Sequence, residues 1–247
     1  MIKAVLYLIT LFCIGVSPIF SGEESFKTRL LYIRHGEVPG NDPNPATYIY
    51  TGSGTDTSLT EKGRIQADAC AKRICNLQDC GVVERIVAIY ASDLKRAKET
   101  AQPIAKKLGL DIQLQPALRE IHWGAADGEL VQTMTEQWGA IEQEIKERYP
   151  ERKARWDYLP VFKDAETYNA LLSRSQTALK NIAESHKGET VLIIGHGRVL
   201  KTLIAEARNS EEKIPYPTNC GIAEFTYSPD KGLNFVKILE ESPPIYE

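Results

Sequence analysis

The sequence lacks the marks of several protein classes. Histidine is scarce, with 4 residues in 247, and neither a His-Glu-x-x-His nor a Cys-x-x-Cys spacing occurs, so no metal or other cofactor is expected. Basic residues are not in excess, since the formal net charge is −3 and the pI is about 5.9. Nucleic-acid-binding surfaces are usually strongly basic, and we therefore expect no nucleic-acid partner.

The chain also lacks a boundary between two domains. It contains no Pro/Gly/Ser-rich linker between periodic segments, no internal repeat and no low-complexity tract. Its 247 residues, 43% of them hydrophobic, are enough to enclose one large core. We predict a single domain over residues 22–247, and the sequence leaves its oligomeric state open.

Residues 1–21 are predicted to be a signal peptide rather than part of the fold. Lys3 precedes the apolar run Ala4–Phe20, and the small residues Ser21 and Gly22 follow it, an order typical of secretory leaders. We expect cleavage near Ser21, a periplasmic or secreted location, and no stable membrane association afterwards. The alternative is an uncleaved anchor, but the run would span only roughly 26 Å as a helix, short of the ~30 Å apolar core of a bilayer.

Export would place the remaining cysteines in a compartment that permits disulfides. These cysteines are Cys70, Cys75, Cys80 and Cys220. A Cys75–Cys80 bridge across a helix end is the first expectation, and free or buried thiols are the alternative. Because a spacing of five turns each thiol about 140° around a helix, the first three do not form a metal-binding face.

Two of the histidines follow apolar runs that predict buried strands. Leu30–Ile33 leads into Arg34-His35-Gly36, and Val191–Gly195 leads into His196-Gly197. In open α/β sheets, ligands bind beyond the carboxyl ends of the strands. His35 is therefore predicted to be a nucleophile, with His196 at an equivalent strand end.

Segments between these strands alternate in pattern between helix and strand. Residues 37–57 are rich in Pro, Gly and Asn and are predicted to form a long loop beside the site. A helix opens at Leu59, with Ser58 or Thr60 as its N-cap. Its apolar side is predicted to consist of Ile65, Ala69 and Ile74.

Arg96 falls in the first turn of a helix predicted over Leu94–Leu108. A cation there opposes the helix dipole. It is either a surface arginine paired with Glu99 or Glu120, or it converges with the free N–H groups of the helix start on an anion. The proximity of Arg34-His35 at the neighbouring strand end favours the second interpretation.

Glu120 is the candidate source of a proton for a leaving alkoxide. The alternative is that it only pairs with Arg96 or Arg119. His122 is interpreted as a loop histidine rather than a catalytic one.

A later helix and a basic run complete the features of interest. The helix Glu129–Tyr149 is amphipathic, with a predicted core stripe of Met134, Trp138, Ile141 and Ile145. The basic run consists of Arg148, Arg152, Lys153 and Arg155. Such a run is usually a solvated face, and the alternative is a lid over an anionic substrate.

Five stretches carry a resemblance to a known family. They are Arg34-His35-Gly36-Glu37, Leu59-Thr60-Glu61-Lys62-Gly63, Ser92-Asp93-Leu94-Lys95-Arg96-Ala97 with Thr100-Ala101, Glu120 with Trp123-Gly124, and Gly195-His196-Gly197. In this order they resemble the histidine phosphatase superfamily, phosphoglycerate mutase-like branch, over roughly residues 28–239. One stretch alone would be weak, whereas all five in order are specific. The resemblance implies a three-layer α/β/α sandwich around a mostly parallel sheet.

The same resemblance implies a role for each site residue. His35 takes the phosphoryl group, Glu120 protonates the leaving group, and Arg34, Arg96 and His196 bind the transferring phosphate, His196 thereby also counting as catalytic. This agrees with the chemistry that these side chains offer, since an imidazole can attack phosphorus and water can then hydrolyse the phosphohistidine without a metal.

The implied reaction is hydrolysis of a small phosphomonoester. Mutases of the family carry Asn-Glu-Arg-His-Tyr-Gly where residues 119–124 read Arg-Glu-Ile-His-Trp-Gly, and the loop 37–57 is not mutase-like. An exported enzyme would also meet no glycolytic phosphoglycerate. The alternatives are a mutase-type phosphotransferase and a non-catalytic phosphate-binding protein, which would need neither His35 nor Glu120. The sequence does not define which phosphomonoester is the substrate.

Overall fold

A mixed sheet of six strands organises the described residues, which are 26–41, 47–151, 153–209 and 218–240. In chain order the strands are β1 (Thr28–Arg34), β2 (Ile86–Ala91), β3 (Ile112–Leu114), β4 (Thr190–Gly195), β5 (Ile222–Ser228) and β6 (Gly232–Glu240). They are arranged as β3-β2-β4-β1-β5-β6. The first four strands are mutually parallel, β5 is antiparallel to β1, and β6 is antiparallel to β5. The computed structural model thus confirms a mostly parallel sheet.

β1 and β4 lie side by side at the centre of this sheet. The side chains of Leu30–Ile33 and Val191–Ile194 are at most 1% exposed. A strand that is apolar on both faces requires cover on both faces. The two apolar runs therefore form the core strands that the sequence predicted.

Helices supply that cover on the two faces of the sheet. In chain order they are α1 (Glu61–Asp79), α2 (Lys95–Leu108), α3 (Val131–Arg148), α4 (Tyr168–Ser185) and α5 (Gly197–Arg208). Leu31 of β1 packs with α1 and α2, whereas the next residue, Tyr32, packs with α4 and α5. Because successive side chains of a strand point to opposite faces, β1 divides its residues between two cores. The predicted three-layer sandwich is confirmed.

The apolar side predicted for α1 is only partly correct. Ile74 is buried, but Ile65 is 51% exposed and Ala69 is exposed. The buried positions are instead Gly63, Ala67, Cys70, Ala71 and Ile74. Mostly small residues face the sheet, because α1 begins in close contact with the segment that follows β1. A Cβ atom at Gly63 would lie 2.1 Å from the Glu37 carbonyl oxygen, so only glycine fits at this contact.

The predicted core stripe of α3 is also only partly correct. Met134 is buried, Trp138 is half-buried and packs edge-to-face on Phe162 at 6.3 Å, and Ile141 is 45% exposed. α3 therefore packs through its first half and leaves part of its apolar face in solvent.

The expected Cys75–Cys80 disulfide is not formed. All four described cysteines are free thiols, in agreement with the alternative interpretation. Cys75 lies within α1 and Cys80 is its C-cap, so the helix turns the two side chains apart. Cys70 and Cys220 are both buried, and the Cys70 Sγ lies 3.8 Å from the Cys220 carbonyl oxygen.

The predicted loop between β1 and α1 is confirmed where it is described. Residues 37–41 and 47–57 form neither helix nor strand, apart from one isolated bridge between Ile49 and Leu130. Thr60 is the N-cap of α1, accepting from the Gly63 N–H at 2.9 Å. The predicted signal peptide, residues 1–21, lies outside the described residues. Within the described ranges, no helix has both the length and the apolar character that a membrane crossing requires.

Candidate active site

The strand register brings His35 and His196 to the same edge of the sheet. β1 and β4 are parallel, and Arg34 is paired with Gly195, so the residue after each strand is a histidine. The two imidazole centroids are 5.2 Å apart, with the ring planes at 60°. The pair therefore lies at the carboxyl end of two adjacent central strands, where α/β proteins bind ligands.

His35 is held with one ring nitrogen available. Its Nδ1 lies 2.7 Å from the Gly36 carbonyl oxygen, and because a carbonyl only accepts, Nδ1 must carry the proton. Nε2 then keeps its lone pair. The backbone is fixed as well, since the His35 N–H donates to the Gly195 carbonyl at 3.0 Å and the Asn219 amide donates to the His35 carbonyl at 3.0 Å.

The surroundings of His35 keep its ring neutral. Burial, followed by the positive charges of Arg96 and Arg34, holds the pKa of His35 well below its usual range, against a smaller opposing effect of the Gly36 carbonyl. A neutral imidazole is the form that can attack an electrophile.

The next residue, Gly36, allows the chain to pass close to α1 and α2. A Cβ atom at Gly36 would lie 2.6 Å from the Gly63 carbonyl oxygen. Its N–H donates to Thr100 Oγ1 at 3.0 Å, and that hydroxyl donates to the Arg96 carbonyl at 2.7 Å. The segment that carries His35 is thus attached to α2 as well as to the sheet.

His196 has the opposite tautomer from His35. Arg96 Nε, which can only donate, lies 3.2 Å from His196 Nδ1, so the proton of a neutral ring must be on Nε2. That Nε2 is buried and has no hydrogen-bond partner among the described residues. Burial, then Arg96 and His35, hold the pKa of His196 well below its usual range. A buried donor of this kind beside a neutral imidazole is suited to an anion.

Tyr32 supports His196 from within β1. Its hydroxyl accepts from the His196 N–H at 2.9 Å, and burial raises the pKa of this phenol. A Cβ atom at Gly195 would lie 2.0 Å from the Tyr32 hydroxyl, so only glycine fits before His196. The apolar run around Tyr32 gave no sign of this polar role, which depends on the pairing of β1 with β4.

Arg96 is completely buried beside the two histidines. In addition to His196, it donates through Nη1 to the Thr55 carbonyl at 2.8 Å and through Nη2 to the Gly52 carbonyl at 2.9 Å. The loop between β1 and α1 is therefore tied to α2 through this guanidinium. Its direct contact with a phosphate remains a prediction, whereas its positive charge next to His35 follows from its position.

Arg34 and Glu120 lie with His35 around one cavity of about 180 Å³. Arg34 Nη2 donates to Asn41 Oδ1 at 2.5 Å. Glu120 is 5% exposed, and its two carboxylate oxygens accept from the Ile121 N–H at 2.9 Å and the Arg198 N–H at 3.0 Å. These two backbone N–H groups hold the carboxylate away from Arg119 and from open solvent.

The pairing of Glu120 with Arg119 that the sequence left open is replaced by another ion pair. Arg119 donates twice to Asp93, at 2.7 Å and 2.5 Å, and this guanidinium lowers the pKa of the Asp93 carboxyl. His122 is half exposed and pairs with Asp127 at 2.9 Å, as a loop histidine would.

Several residues of the cavity wall were missed by sequence reasoning, among them Asn41, Tyr48, Tyr50 and Arg198. Trp123, which the sequence offered only as part of the family resemblance, lines the cavity as well. The ring of Tyr50 packs edge-to-face on Trp123 at 4.8 Å, and burial raises the pKa of Tyr50 to about 12. For these cavity residues the sequence offered one signal, which is that Arg198 lies two residues after His196, at the start of a helix.

The described residues of the basic run before Trp156 each have a partner of their own. Lys153 pairs with Glu206 at 2.7 Å and Arg148 with Glu144 at 3.6 Å, while Arg152 lies outside the described residues. Arg155 donates through Nη1 to the Tyr149 and Pro150 carbonyls, at 3.2 Å and 2.7 Å. Among described side chains, no group of three or more His, Cys, Asp or Glu could hold a metal ion.

Comparisons with known proteins agree with this geometry. The family described as Histidine phosphatase superfamily (branch 1) matches residues 30–237. The chain is 32% identical over 207 residues to phosphoglycerate mutase-like protein 4 of Arabidopsis thaliana, covering 83% of this chain and 82% of that protein. It is 35% identical over 181 residues to the metal-independent phosphoserine phosphatase of Arabidopsis thaliana, covering 73% and 68%. The solved structure of Bacillus stearothermophilus YhfR has a TM-score of 0.68 at 28% identity, over 86% of this chain and 96% of that one.

Proposed function

Because the chain belongs to the histidine phosphatase superfamily, we propose that it is a metal-independent phosphatase that hydrolyses small phosphomonoesters through a phosphohistidine on His35. The complementary tautomers of the two histidines carry this proposal. His35 presents a lone pair on Nε2, and His196 presents an unpartnered Nε2–H donor 5.2 Å away between ring centroids.

In the first step, His35 Nε2 attacks phosphorus and the bond to the ester oxygen breaks. Glu120 transfers a proton to that oxygen, so the leaving group departs as an alcohol. In the second step, a water molecule attacks the phosphohistidine, the N–P bond breaks, and inorganic phosphate is released. Glu120, now ionised, accepts the proton of this water, which restores both residues.

Positive charge stabilises the phosphoryl group during both steps. Arg34 and Arg96 lie near His35, and the positive charge of both lowers its pKa, which supports an electrostatic role for them at the proposed nucleophile. At a separation of ~4 Å and an effective dielectric of about 20, two unit charges interact by about 4 kcal/mol. Together with the His196 donor, these groups can neutralise the equatorial oxygens without a metal.

Hydrolysis is preferred to phosphoglycerate interconversion. The relatives include a phosphatase at 35% identity and a mutase-like protein at 32%, so similarity alone does not separate the two reactions. The chain departs from the mutase pattern at residues 119–124, where Trp123 packs on Tyr50 and forms part of the cavity wall. A predicted periplasmic or secreted location, following cleavage near Ser21, also favours hydrolysis.

A chelation assay tests the reaction. Purified chain lacking residues 1–21, incubated exhaustively with EDTA, should release phosphate from phosphoserine, sugar phosphates or phosphoglycerates at its untreated rate. Loss of turnover that a divalent ion restores would contradict the metal-free mechanism. Interconversion of phosphoglycerates with little net phosphate release would instead establish a mutase.

A further inference from the structure

Arg174 of α4 is hydrogen-bonded to the segment that carries Glu120. Its Nη1 donates to the carbonyl oxygens of Ala117 at 2.7 Å and Arg119 at 2.8 Å, and its Nη2 donates to the Glu120 carbonyl at 3.1 Å. Residues 119–123 form neither helix nor strand, so their carbonyls need donors from outside a regular backbone ladder. The guanidinium of Arg174 supplies three such bonds at or just before Glu120.

Glu166, two residues before α4 begins, fixes this guanidinium. Its Oε1 accepts from Arg174 Nε at 2.6 Å and its Oε2 accepts from Arg174 Nη2 at 2.8 Å, a two-point contact that sets the plane of the arginine. The Glu166 N–H donates to the His122 carbonyl at 2.8 Å, and its Oε2 accepts from the His122 N–H at 3.3 Å. One ion pair therefore holds the backbone on both sides of Glu120.

This ion pair lies outside the wall of the His35 cavity. Among the described residues that line the cavity, Glu120 is present, whereas Arg174 and Glu166 are not. The Arg174 side chain is 26% exposed and that of Glu166 is 16% exposed, so the pair is largely shielded from water, and hydrogen bonds are stronger there. The pair can affect a bound substrate only through its charge or through the residues that it holds.

The Glu120 carboxylate depends on the same segment for its orientation. One oxygen accepts from the Ile121 N–H at 2.9 Å, and the other accepts from the Arg198 N–H at the start of α5 at 3.0 Å. The Glu120 backbone is thus attached to α4 through Arg174, while its carboxylate is attached to α5.

We propose that Arg174, fixed by Glu166, is a positioning residue for proton transfer, since it sets the place of the Glu120 carboxylate relative to the leaving oxygen of the substrate. The inference rests on the proposed function, in which Glu120 protonates that oxygen. A displacement of about 1 Å at a reacting group can cost on the order of 100-fold in rate, so the backbone bonds of Glu120 matter for the reaction as well as for folding.

The dependence of rate on the leaving group distinguishes this role from general support of the fold. In the full chain, Arg174→Gln should lower kcat/KM for phosphoserine about 10- to 100-fold. The loss should be only a few-fold for p-nitrophenyl phosphate, whose leaving group needs no proton. On phosphoserine, Arg174→Gln combined with Glu120→Gln should lose no more than Glu120→Gln alone, because the positioned group is already absent.

Arg174→Lys separates hydrogen-bond geometry from charge. Burial, then the charges of Arg96 and His35, lower the pKa of His196, and Arg174 adds a smaller effect in the same direction. Lysine keeps this charge but lacks the planar fork that holds Glu166 and the carbonyls together, so the variant should show the same selective loss. Full kcat/KM on phosphoserine in Arg174→Lys would assign the effect to charge and overturn the inference.

Arg29→Gln is the matched control for a loss of stability. Arg29 pairs with Glu84 at 2.6 Å and Glu224 at 3.0 Å and donates to the Val82 carbonyl at 3.1 Å, but it lies at the start of β1, the end opposite to His35. This variant should lower the midpoint of urea unfolding and leave kcat/KM unchanged on both substrates.

Equal losses on phosphoserine and p-nitrophenyl phosphate in Arg174→Gln would overturn the inference, as would a loss that adds fully to that of Glu120→Gln. Failure of the proposed function has a different signature. In that case the unmodified chain would release no phosphate from either substrate, and the inference would fail with it.

Discussion

The edge of the sheet at β1 and β4 and the outer helix α3 differ in how firmly burial and hydrogen bonds hold their side chains in place. At the sheet edge, His35 is 4% exposed and His196 is completely buried, whereas Ile141 of α3 is 45% exposed. Hydrogen bonds with β4, α2 and the segment before β5 fix the backbones of His35 and Gly36. α3 is fixed mainly by Met134 and Trp138. The two histidines thus lie directly after tightly packed central strands, whereas α3 is a less constrained element.

The largest effect should come from removing the proposed nucleophile, His35. His35→Ala abolishes the covalent step, so kcat should fall about 10⁴-fold or more, while phosphate or vanadate binding survives in part through Arg34, Arg96 and His196. Steady-state kinetics and calorimetry measure the two separately. His122→Ala, at an exposed loop histidine, is the control and should retain nearly full activity. A His35→Ala activity within tenfold of the unmodified chain would exclude His35 as the nucleophile.

The second effect separates leaving-group chemistry from phosphate binding. Glu120→Gln should lower kcat about 10²-fold or more on alkyl phosphates, whose alkoxide needs a proton, and only a few-fold on p-nitrophenyl phosphate, whose phenolate does not. Asp93→Asn is the control, because Asp93 is held by Arg119. Equal losses on both substrates would show that Glu120 is not the proton donor.

A third change tests how the sheet positions His196. Tyr32→Phe leaves the buried His196 N–H without its acceptor, so we expect a loss of about 1–3 kcal/mol in unfolding free energy and a roughly tenfold lower kcat. Denaturant unfolding and kinetics measure these quantities. Tyr227→Phe, which removes a 2.8 Å bond to Glu184, should leave kcat unchanged. A destabilised Tyr32→Phe chain with full kcat would limit Tyr32 to a packing role.

A fourth prediction concerns pH. The pKa values of His35 and His196 are lowered in the folded chain, while the unfolded chain has ordinary values near 6.5. Below that pH the unfolded state binds more protons, so the stability that these residues contribute is present above about pH 6.5 and is lost as pH falls toward the lowered values. Urea unfolding at pH 8 and pH 5.5 should show a smaller drop for His35→Gln than for the unmodified chain. Identical drops would refute this assignment.

The smallest effect should come from α3. Ile141→Ala should change the unfolding free energy by no more than about 0.5 kcal/mol, as for other surface substitutions. Ile182→Ala on α4, where the side chain is 3% exposed, should cost about 2–5 kcal/mol. Chemical denaturation compares the two. A large loss for Ile141→Ala would show that α3 is covered in solution and would weaken the contrast between the two regions.

Sequence reasoning succeeded where local pattern and burial agree. The apolar runs before His35 and His196 predicted two central strands, and their register brought the two histidines together. It failed for the contact faces of α1 and α3, because periodicity identifies an apolar side but not the neighbour that will cover it. In α1, for example, Gly63 lies against the Glu37 backbone, a close contact that hydrophobicity does not record.

The sequence by itself determined the order of strands and helices and the identity of the histidine, arginine and glutamate candidates, because strand-end motifs and apolar runs are local properties. Only the tertiary structure decided how those groups are used. Contacts between residues far apart in the chain set the tautomer of His196 and the role of Tyr32. Such contacts also bury Arg96 against the loop carbonyls and place Arg198 in the wall of the His35 cavity. Hydrogen-bond partners and local dielectric are properties of the folded arrangement, so no local pattern encodes them.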